Sequence, residues 1–409
     1  MSNKLRYVPN RKTRVLTFYT FFQFSKHKVH SKNVADEMDA VIGNLISNLD
    51  SRLDKAASHI SGCCTDKKPS AEINASDLMF RYSTDLVLSC FYKKYNYVDY
   101  AAEKDYFSSV IEEGLSPSSV FLLELVVILP MIVPIVNWLA THFHSFGRMR
   151  SDLNMFIRDQ TALNLQARRE MAAAKKAGKT FDPENFKLSD GRVFKSNMID
   201  GFIDSFHEGK VTETEYMHSS GFLYLAGIKT VADAIARLIY YLVANQKIQE
   251  KLRNSIKKDG LESEYLSWCI NESLRVTVPV PFGSSRMAER DFEVEGGGVI
   301  PKGTGIFTPV WIIHRLPEYW GEDADQFRPE RWADADKFHP AQFLPFGGGL
   351  RSCPGKEFAL ESLRRLTRAL LLRYKFERCF RTSDTPLFES PFMIYLAHYT
   401  STVVKISRL

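Results

Sequence analysis

The stretch that decides the fold is Phe346-Gly-Gly-Gly-Leu-Arg-Ser-Cys-Pro-Gly355. Its consecutive glycines permit backbone conformations closed to other residues and let a flat ligand approach the main chain. Cys353 follows them and comes just before a predicted helix, where unpaired backbone amides stabilise a thiolate. Arg351 adds a positive charge close to it. Because the thiolate is the form of cysteine that binds metals, the stretch favours Cys353 as a metal ligand.

Two other roles are open to a cysteine in this position. A lone cysteine is most often a buried structural residue. A catalytic nucleophile needs a nearby base, and no histidine lies close to Cys353 in the sequence, although one could be close in space. No C-x-x-C pair occurs, so a zinc ribbon is not favoured. The structural interpretation applies to the remaining cysteines, which are Cys63, Cys64, Cys90, Cys269 and Cys379.

Composition and charge narrow the classes of function. The chain has 409 residues, of which 44% are hydrophobic and 25% charged, as in globular proteins. The net charge of +6 is mild, and no dense Lys/Arg run with interleaved aromatic residues occurs. Nucleic-acid binding is therefore not expected. A basic docking face for an acidic protein partner is compatible with this charge.

One apolar run, residues 120–140, is long enough to span a bilayer. Glu124, Pro130 and Pro134 interrupt it, which disfavours a straight spanning helix. The sequence predicts two short apolar helices here instead, which would lie on a membrane surface or cap a pocket.

Apolar periodicity predicts a mainly helical chain with a minor β portion and no clean domain boundary. A surface loop is expected over 177–196, a small hairpin over 292–305 and an ordered coil over 317–345. Helices are predicted within 11–60, over 77–92, 148–176, 213–244, from 245, and over 261–276 and 354–374.

The glycine–cysteine stretch resembles the haem-binding signature of the cytochrome P450 family, F-x-x-G-x-R-x-C-x-G. The residues that match are Phe346, Gly349, Arg351, Cys353 and Gly355. The resemblance implies the family's mainly α fold with a small β-sheet portion, as a single domain over residues 1–409. It also implies bound haem b, with the Cys353 thiolate as the axial ligand of the iron.

Two further motifs support the resemblance. Glu272-Ser-Leu-Arg275 matches the family's E-x-x-R on a helix, and Pro329-Glu330-Arg331-Trp332 resembles its P-E-R-F with Trp replacing Phe. By resemblance, Glu272, Arg275 and Arg331 form a buried charge network that locks the coil under the haem. Taken alone, an i, i+3 pair is more often a solvated salt bridge.

The haem carries two carboxylates, which suit arginine side chains. The resemblance assigns them to Arg286, Arg351 and Arg14. Arg14 stands in Asn10-Arg-Lys-Thr-Arg14, where the family has W-x-x-x-R, so tryptophan is replaced by asparagine. A solvated charge is the alternative for Arg14.

Ala226-Gly-Ile-Lys-Thr230 resembles the family's A-G-x-D/E-T on the long helix. The resemblance implies that Gly227 opens space for dioxygen and that Thr230 hydrogen-bonds the iron–oxygen species and relays protons. For Thr230, a hydrogen bond to its own helix backbone is the alternative. Lys229 replaces the family's acid, and a lysine relays protons in the same manner only where burial depresses its pKa. Lys229 thus disfavours efficient oxygen activation.

The resemblance implies a haem-thiolate monooxygenase of the animal microsomal type, on the cytoplasmic face of the endoplasmic reticulum membrane. It would insert one oxygen atom from O2 into a small apolar substrate such as a steroid, a fatty acid or a xenobiotic. Electrons would come from NADPH through cytochrome P450 reductase, with cytochrome b5 as a second donor. Lys356, Arg364, Arg365 and Arg368 would offer the docking surface, with a solvated helix face as the alternative.

Relative to such members, the chain is expected to lack the N-terminal anchor, the first β-sheet portion and the substrate-covering loop. Two rivals to the monooxygenase stay open. The first is a haem-thiolate isomerase or peroxide-driven enzyme, which Lys229 favours. The second is an inactive truncated haem-binding protein, which Asn10 favours.

Overall fold

A computed structural model describes residues 29–60, 69–93, 98, 100, 145–283, 286–294, 296–384 and 402–409. These residues are mainly helical with short antiparallel strands, which confirms the predicted fold class. The chain divides into two compact units. The first takes in the described parts of Met1–Asn48, Phe80–Lys229 and Pro354–Ser362, and the second those of Leu49–Met79, Thr230–Cys353 and Leu363–Leu409.

Seven of the described helices follow the predicted order, whereas the short helices Asp200–His207, Val310–Ile313 and Pro317–Trp320 were not predicted, and the last of them begins the segment predicted as coil over 317–345. The described helices are α1 (Lys32–Ile60), α2 (Ala75–Tyr92), α3 (Ser145–Lys176), α4 (Asp200–His207), α5 (Glu213–Ala244), α6 (Gln246–Asp259), α7 (Glu264–Val276), α8 (Val310–Ile313), α9 (Pro317–Trp320) and α10 (Lys356–Leu371). No helix in the described ranges combines the length and apolarity needed to cross a bilayer. The apolar run 120–140 and the start of the predicted helix 11–60 lie outside those ranges.

The strands are short and pair in antiparallel fashion. They are β1 (Ser70–Asn74), β2 (Asn185–Lys187), β3 (Val193–Lys195), β4 (Arg286–Met287), β5 (Phe292–Val294), β6 (Gly298–Ile300), β7 (Gly305–Ile306), β8 (Tyr374–Glu377) and β9 (Val403–Arg408). In the second unit β9 lies between β1 and β8. The predicted hairpin over 292–305 is confirmed by the pairing of β5 with β6, and β4 pairs with β7.

The long helix α5 has the predicted bounds. Its 32 residues extend for about 48 Å at 1.5 Å per residue. Thr212 begins it with a capping box: its Oγ1 accepts from the amide of Glu215 at 3.2 Å, and its own amide donates to Glu215 Oε2 at 2.9 Å. Residues 231–243 are all buried, including the charged Asp233 and Arg237, as expected of a helix that is apolar over much of its circumference.

The structure corrects the prediction of a surface loop over 177–196. Within it, β2 and β3 form a hairpin in which Phe186 pairs with Phe194. Both rings are buried against Ala167 of α3 and Leu188. The alternation of buried and exposed residues covers only three positions in each strand, which is too short to be read as a β pattern in the sequence.

The end of the last predicted helix is also corrected. The prediction ran to Tyr374, whereas α10 ends at Leu371 and Tyr374 begins β8. Tyr374 is fully buried, pairs with Arg408 of β9 and donates its hydroxyl to Asp50 Oδ1 at 2.9 Å. Strand pairing to a residue far along the chain thus ends the helix earlier than local periodicity indicates.

Candidate functional site

The glycine–cysteine loop runs from Phe346 to Gly355 and leads into α10. The amide of Cys353 donates to the carbonyl of Phe346 at 2.8 Å, which closes the loop across its base. The amide of Gly347 donates to the carbonyl of Leu344 at 3.0 Å, so a turn precedes the loop. Cys353 itself is half-buried.

Two of the glycines in this loop adopt a backbone conformation that other residues avoid. Gly347 and Gly349 both have φ of +67°. A Cβ added at either position would meet no atom within 4 Å, so the strain of a substitution would come from the backbone and not from crowding. The loop therefore presents open main chain beside the thiol, which a flat ligand needs for close approach.

The other described cysteines lie in different surroundings. Cys90 and Cys269 are fully buried, and burial raises the pKa of both thiols well above their ordinary value. Cys379 accepts a hydrogen bond from the hydroxyl of Thr382 at 3.4 Å. Neither burial nor a neighbouring hydroxyl favours the thiolate form that a metal needs.

Glu272 and Arg275 lie one turn apart on α7, and both side chains are fully buried. Two parallel hydrogen bonds of 2.9 Å join the guanidinium to the carboxylate. Arg275 also donates to the carbonyls of His314 at 2.7 Å and Ala324 at 2.6 Å, and to that of Gln326 at 3.1 Å. One buried cation thereby fixes the coil that precedes the cysteine loop.

Arg331 joins the same network from the 3-10 segment Pro329–Lys337. Its Nε donates to Glu272 Oε1 at 2.9 Å, and its remaining nitrogens donate to the carbonyls of Trp320 at 2.9 Å and Asp323 at 3.1 Å. Glu272 thus binds both arginines, and a helix is linked to a coil segment about 60 residues later in the chain.

Two further donors reach Glu272 that sequence reasoning missed. The amide of Arg328 donates to Oε1 at 2.9 Å, and the indole Nε1 of Trp332 donates to Oε2 at 3.0 Å. The signal was in the sequence, because Trp replaces the Phe of the P-E-R-F motif and brings a donor that phenylalanine lacks. The bond itself could not be read from the sequence.

His314 is a second residue that sequence reasoning missed. It is fully buried, directly after α8. Its Nε2 accepts a hydrogen bond from the amide of Leu344 at 2.8 Å. Burial, reinforced by the charge of Arg275, lowers the pKa of His314 to about 3, so the imidazole is neutral at physiological pH.

The arginines predicted to bind carboxylates are at the surface. Arg286 in β4 and Arg351 beside the cysteine are exposed, and Nη2 of Arg286 lies 3.5 Å from the carbonyl oxygen of Arg351. The structure therefore brings Arg286 to the edge of the loop. Arg14 lies outside the described residues.

Gly227, Lys229 and Thr230 lie on α5, and each is partly buried. A Cβ at Gly227 would stand 3.1 Å from Cγ2 of Val87 on α2. The absence of a side chain at this position therefore permits the close packing of α5 against α2. This is a reason for the glycine that the sequence did not indicate.

A comparison with protein-family models matches residues 9–403 to the cytochrome P450 model. The chain belongs to the cytochrome P450 family. Cytochrome P450 enzymes use haem b as cofactor. The match extends over nearly the whole chain and includes the loop, the buried network and the long helix described above.

Curated cytochromes P450 align with part of the chain. Cytochrome P450 3A17 of Cavia porcellus is 34% identical over 194 residues, which are 44% of this chain and 38% of that protein. Cytochrome P450 3A29 of Sus scrofa is 33% identical over 187 residues, 42% of this chain and 37% of that protein. Cytochrome P450 3A18 of Rattus norvegicus is 34% identical over 191 residues, which are 42% of this chain and 38% of that protein. The alignments span less than two-fifths of these relatives.

The side chains present in this cytochrome P450 fit haem b. A half-buried thiol stands at the end of a glycine loop whose main chain is open at Gly347 and Gly349. Exposed guanidinium groups of Arg286 and Arg351 lie beside that loop and suit the two haem carboxylates. A thiolate is the haem ligand that the family uses.

Proposed function

We propose that this chain binds haem b through the thiolate of Cys353 and acts as a monooxygenase on a small apolar substrate. One atom of O2 would enter the substrate and the other would leave as water. The observation that carries the proposal is the position of Cys353. It ends an open glycine loop, and the coil before that loop is held by the buried Glu272–Arg275–Arg331 network.

The roles of the haem and of the individual side chains in the proposed reaction follow from their chemistry. Bound haem would supply the oxygen-activating chemistry, and the protein would supply ligation, orientation and proton control. Cys353 provides the sulfur ligand, Phe346 closes the base of the loop through its carbonyl, and Arg286 and Arg351 orient the carboxylates. The buried network keeps the loop in one conformation, because each of its charges would be costly without its partner.

The long helix α5 would supply the residues that deliver protons and leave space for dioxygen. In this proposal the Oγ1 of Thr230 holds a proton for delivery, and Gly227 keeps α5 close to α2 through its contact with Val87. Lys229 stands where the family has an acid. A lysine ammonium group offers hydrogen-bond donors but no acceptor to receive the next proton, and slow delivery is therefore part of the proposal.

The proposed substrate and electron source follow from the family, and the proposed docking surface follows from the basic residues of α10. A steroid, a fatty acid or a xenobiotic fits the family's apolar substrates. The proposed electron source is NADPH through cytochrome P450 reductase, with cytochrome b5 as a second donor, at the endoplasmic reticulum membrane. Lys356 and Arg368 of α10 are exposed and Arg364 and Arg365 are half-buried, which gives an acidic partner a basic surface.

The test is reductase-dependent turnover of the full chain. The chain, the reductase and NADPH would be incubated with a panel of apolar substrates under 18O2, with Cys353→Ala as the ligand-free control. Incorporation of one labelled atom that needs both NADPH and reductase supports the proposal. Product without O2, or with peroxide alone, would replace it with the isomerase or peroxide-driven alternative that Lys229 favours. A chain that takes up haem but gives no product under any of these conditions would contradict it.

A further inference from the structure

His314 connects the buried network to the start of the cysteine loop. Its backbone carbonyl accepts from Nη1 of Arg275 at 2.7 Å, and its imidazole Nε2 accepts from the amide of Leu344 at 2.8 Å. The carbonyl of Leu344 in turn accepts from the amide of Gly347 at 3.0 Å, at the first glycine of the loop. An unbroken path of hydrogen bonds thus runs from α7 to the loop that carries Cys353.

The imidazole ring is held in place on both sides. It stacks on Phe343, with ring centroids 5.4 Å apart and planes inclined by 30°, and it meets Trp320 edge-on at 6.5 Å. His314 has no exposed surface. The ring therefore has little freedom to turn away from Leu344.

Only the neutral ring can make this contact. A backbone amide is always a donor, so Nε2 must be the unprotonated nitrogen, which places the proton of the neutral ring on Nδ1. The charged groups that act on the ring are Arg275 and Arg315, and both disfavour a second cation. Glu272 already binds Arg275, and Asp325 pairs with Arg315 at 3.0 Å. Backbone groups of Arg275 and Leu274 raise the pKa of His314, but burial and the charge of Arg275 outweigh them.

We propose that His314 is a positioning residue for the haem ligand. As a buried acceptor for the Leu344 amide it fixes where the cysteine loop begins relative to the Glu272–Arg275 network. The part of this inference that concerns haem rests on the proposed function, whereas the hydrogen bond to Leu344 does not. In its absence the partly buried Leu344 amide loses its acceptor, and the loop shifts to find another.

Two substitutions test separately the hydrogen-bond acceptor and the aromatic ring of His314. His314→Gln keeps an acceptor at a reach close to that of Nε2 but removes the aromatic stack on Phe343. His314→Phe keeps the stack and removes the acceptor. A merely space-filling histidine would be replaced best by phenylalanine, whereas a positioning acceptor would be replaced best by glutamine.

The experiment is hydrogen exchange at the Leu344 amide in the full chain, measured with and without added haem. We expect exchange in His314→Phe to be faster than in the wild type by about tenfold, and exchange in His314→Gln to be close to the wild type. The fraction of the reduced, CO-bound protein with a thiolate-type spectrum should be close to the wild type in His314→Gln and lower in His314→Phe. Unchanged exchange in His314→Phe would overturn the inference even if haem binds. Absence of haem from the wild type would overturn the proposed function while the exchange result still stood.

A second measurement keeps the inference testable if His314→Phe does not fold. The wild type and His314→Gln would be unfolded with urea between pH 7 and pH 4. Because the folded ring resists protonation, the wild type should lose stability relative to His314→Gln by up to about tenfold in the unfolding equilibrium for each pH unit below about 6.5. Parallel stability curves for the two proteins would overturn the inference.

Discussion

The indole nitrogen of Trp332 lies 3.0 Å from Oε2 of Glu272 and is one of the donors that saturate this buried carboxylate. Oε2 accepts from Trp332 and Arg275, and Oε1 accepts from Arg275, Arg331 and the amide of Arg328. These donors use the hydrogen-bonding capacity of both oxygens of the Glu272 carboxylate, which has no contact with solvent. The network depends on each donor, because a buried charge cannot turn to water instead.

Trp332→Phe restores the residue that the family's motif has, yet it should destabilise this protein. The substitution removes one donor to a buried carboxylate, at a cost of about 1–3 kcal/mol in the free energy of unfolding. Urea denaturation would measure it. Trp268→Phe is the matched control, because Trp268 packs at the edge of the same aromatic cluster and is not among the donors to Glu272. Equal effects of the two substitutions would show that packing alone matters.

Arg275→Lys should prevent stable loading of haem although it keeps the charge. A lysine cannot make the paired hydrogen bonds to Glu272 and also reach three backbone carbonyls, so the loss is expected to approach the 3–5 kcal/mol typical of broken buried pairs. The haem content of the purified variant is the measurement. Lys251→Ala, which breaks the exposed pair with Glu330, should change stability by less than about 1 kcal/mol.

Gly227→Ala and Gly221→Ala should have opposite effects on the same helix. Alanine is favoured over glycine within a helix by about 1 kcal/mol. At Gly221 the new Cβ would meet Leu153 at an ordinary 3.7 Å, so we expect stabilisation, whereas at Gly227 it would press on Val87 at 3.1 Å. Thermal unfolding would separate the two. Adding Val87→Ala should relieve Gly227→Ala in particular; no relief would contradict the packing role of this glycine.

The acid dependence of stability should include a contribution from Asp50. Burial raises the pKa of this carboxyl, but hydrogen bonds from Arg373, Tyr374 and Arg408 outweigh it and hold the pKa below its ordinary value of 3.8. A depressed carboxyl stabilises the fold above the unfolded pKa and loses this effect as the pH falls through the folded pKa. Asp50→Asn should therefore be less stable than the wild type at pH 7, and the difference should shrink below pH 3.8. A difference between the two proteins that stayed constant from pH 7 to below pH 3.8 would contradict this contribution of Asp50.

The sequence predicted best where the information is local. The bounds of α5 were predicted from the pattern of apolar residues within one segment, and the capping box of Thr212 and Glu215 in the structure agrees with the predicted start. The glycine–cysteine loop was found because its residues are consecutive. Glu272 and Arg275 were predicted from their match to the family's E-x-x-R motif, which lies within one turn of one helix.

The contacts that sequence reasoning missed join residues far apart in the chain. Trp332 reaches Glu272 across 60 positions, and Leu344 reaches His314 across 30. The hairpin of β2 and β3 depends on tertiary burial of two phenylalanines, and the end of α10 depends on pairing with β9. None of these partners can be identified from periodicity, because periodicity describes the face of an element and not what covers it.

The absorption spectrum of the reduced, CO-bound full chain tests whether the Cys353 sulfur is the haem ligand. We expect a thiolate-type Soret band in the wild type and in Cys379→Ala, and its loss in Cys353→Ala. Cys379 serves as the control because it is also half-buried and lies outside the glycine loop. A Cys353→Ala protein that still carried haem with an unchanged spectrum would contradict the account.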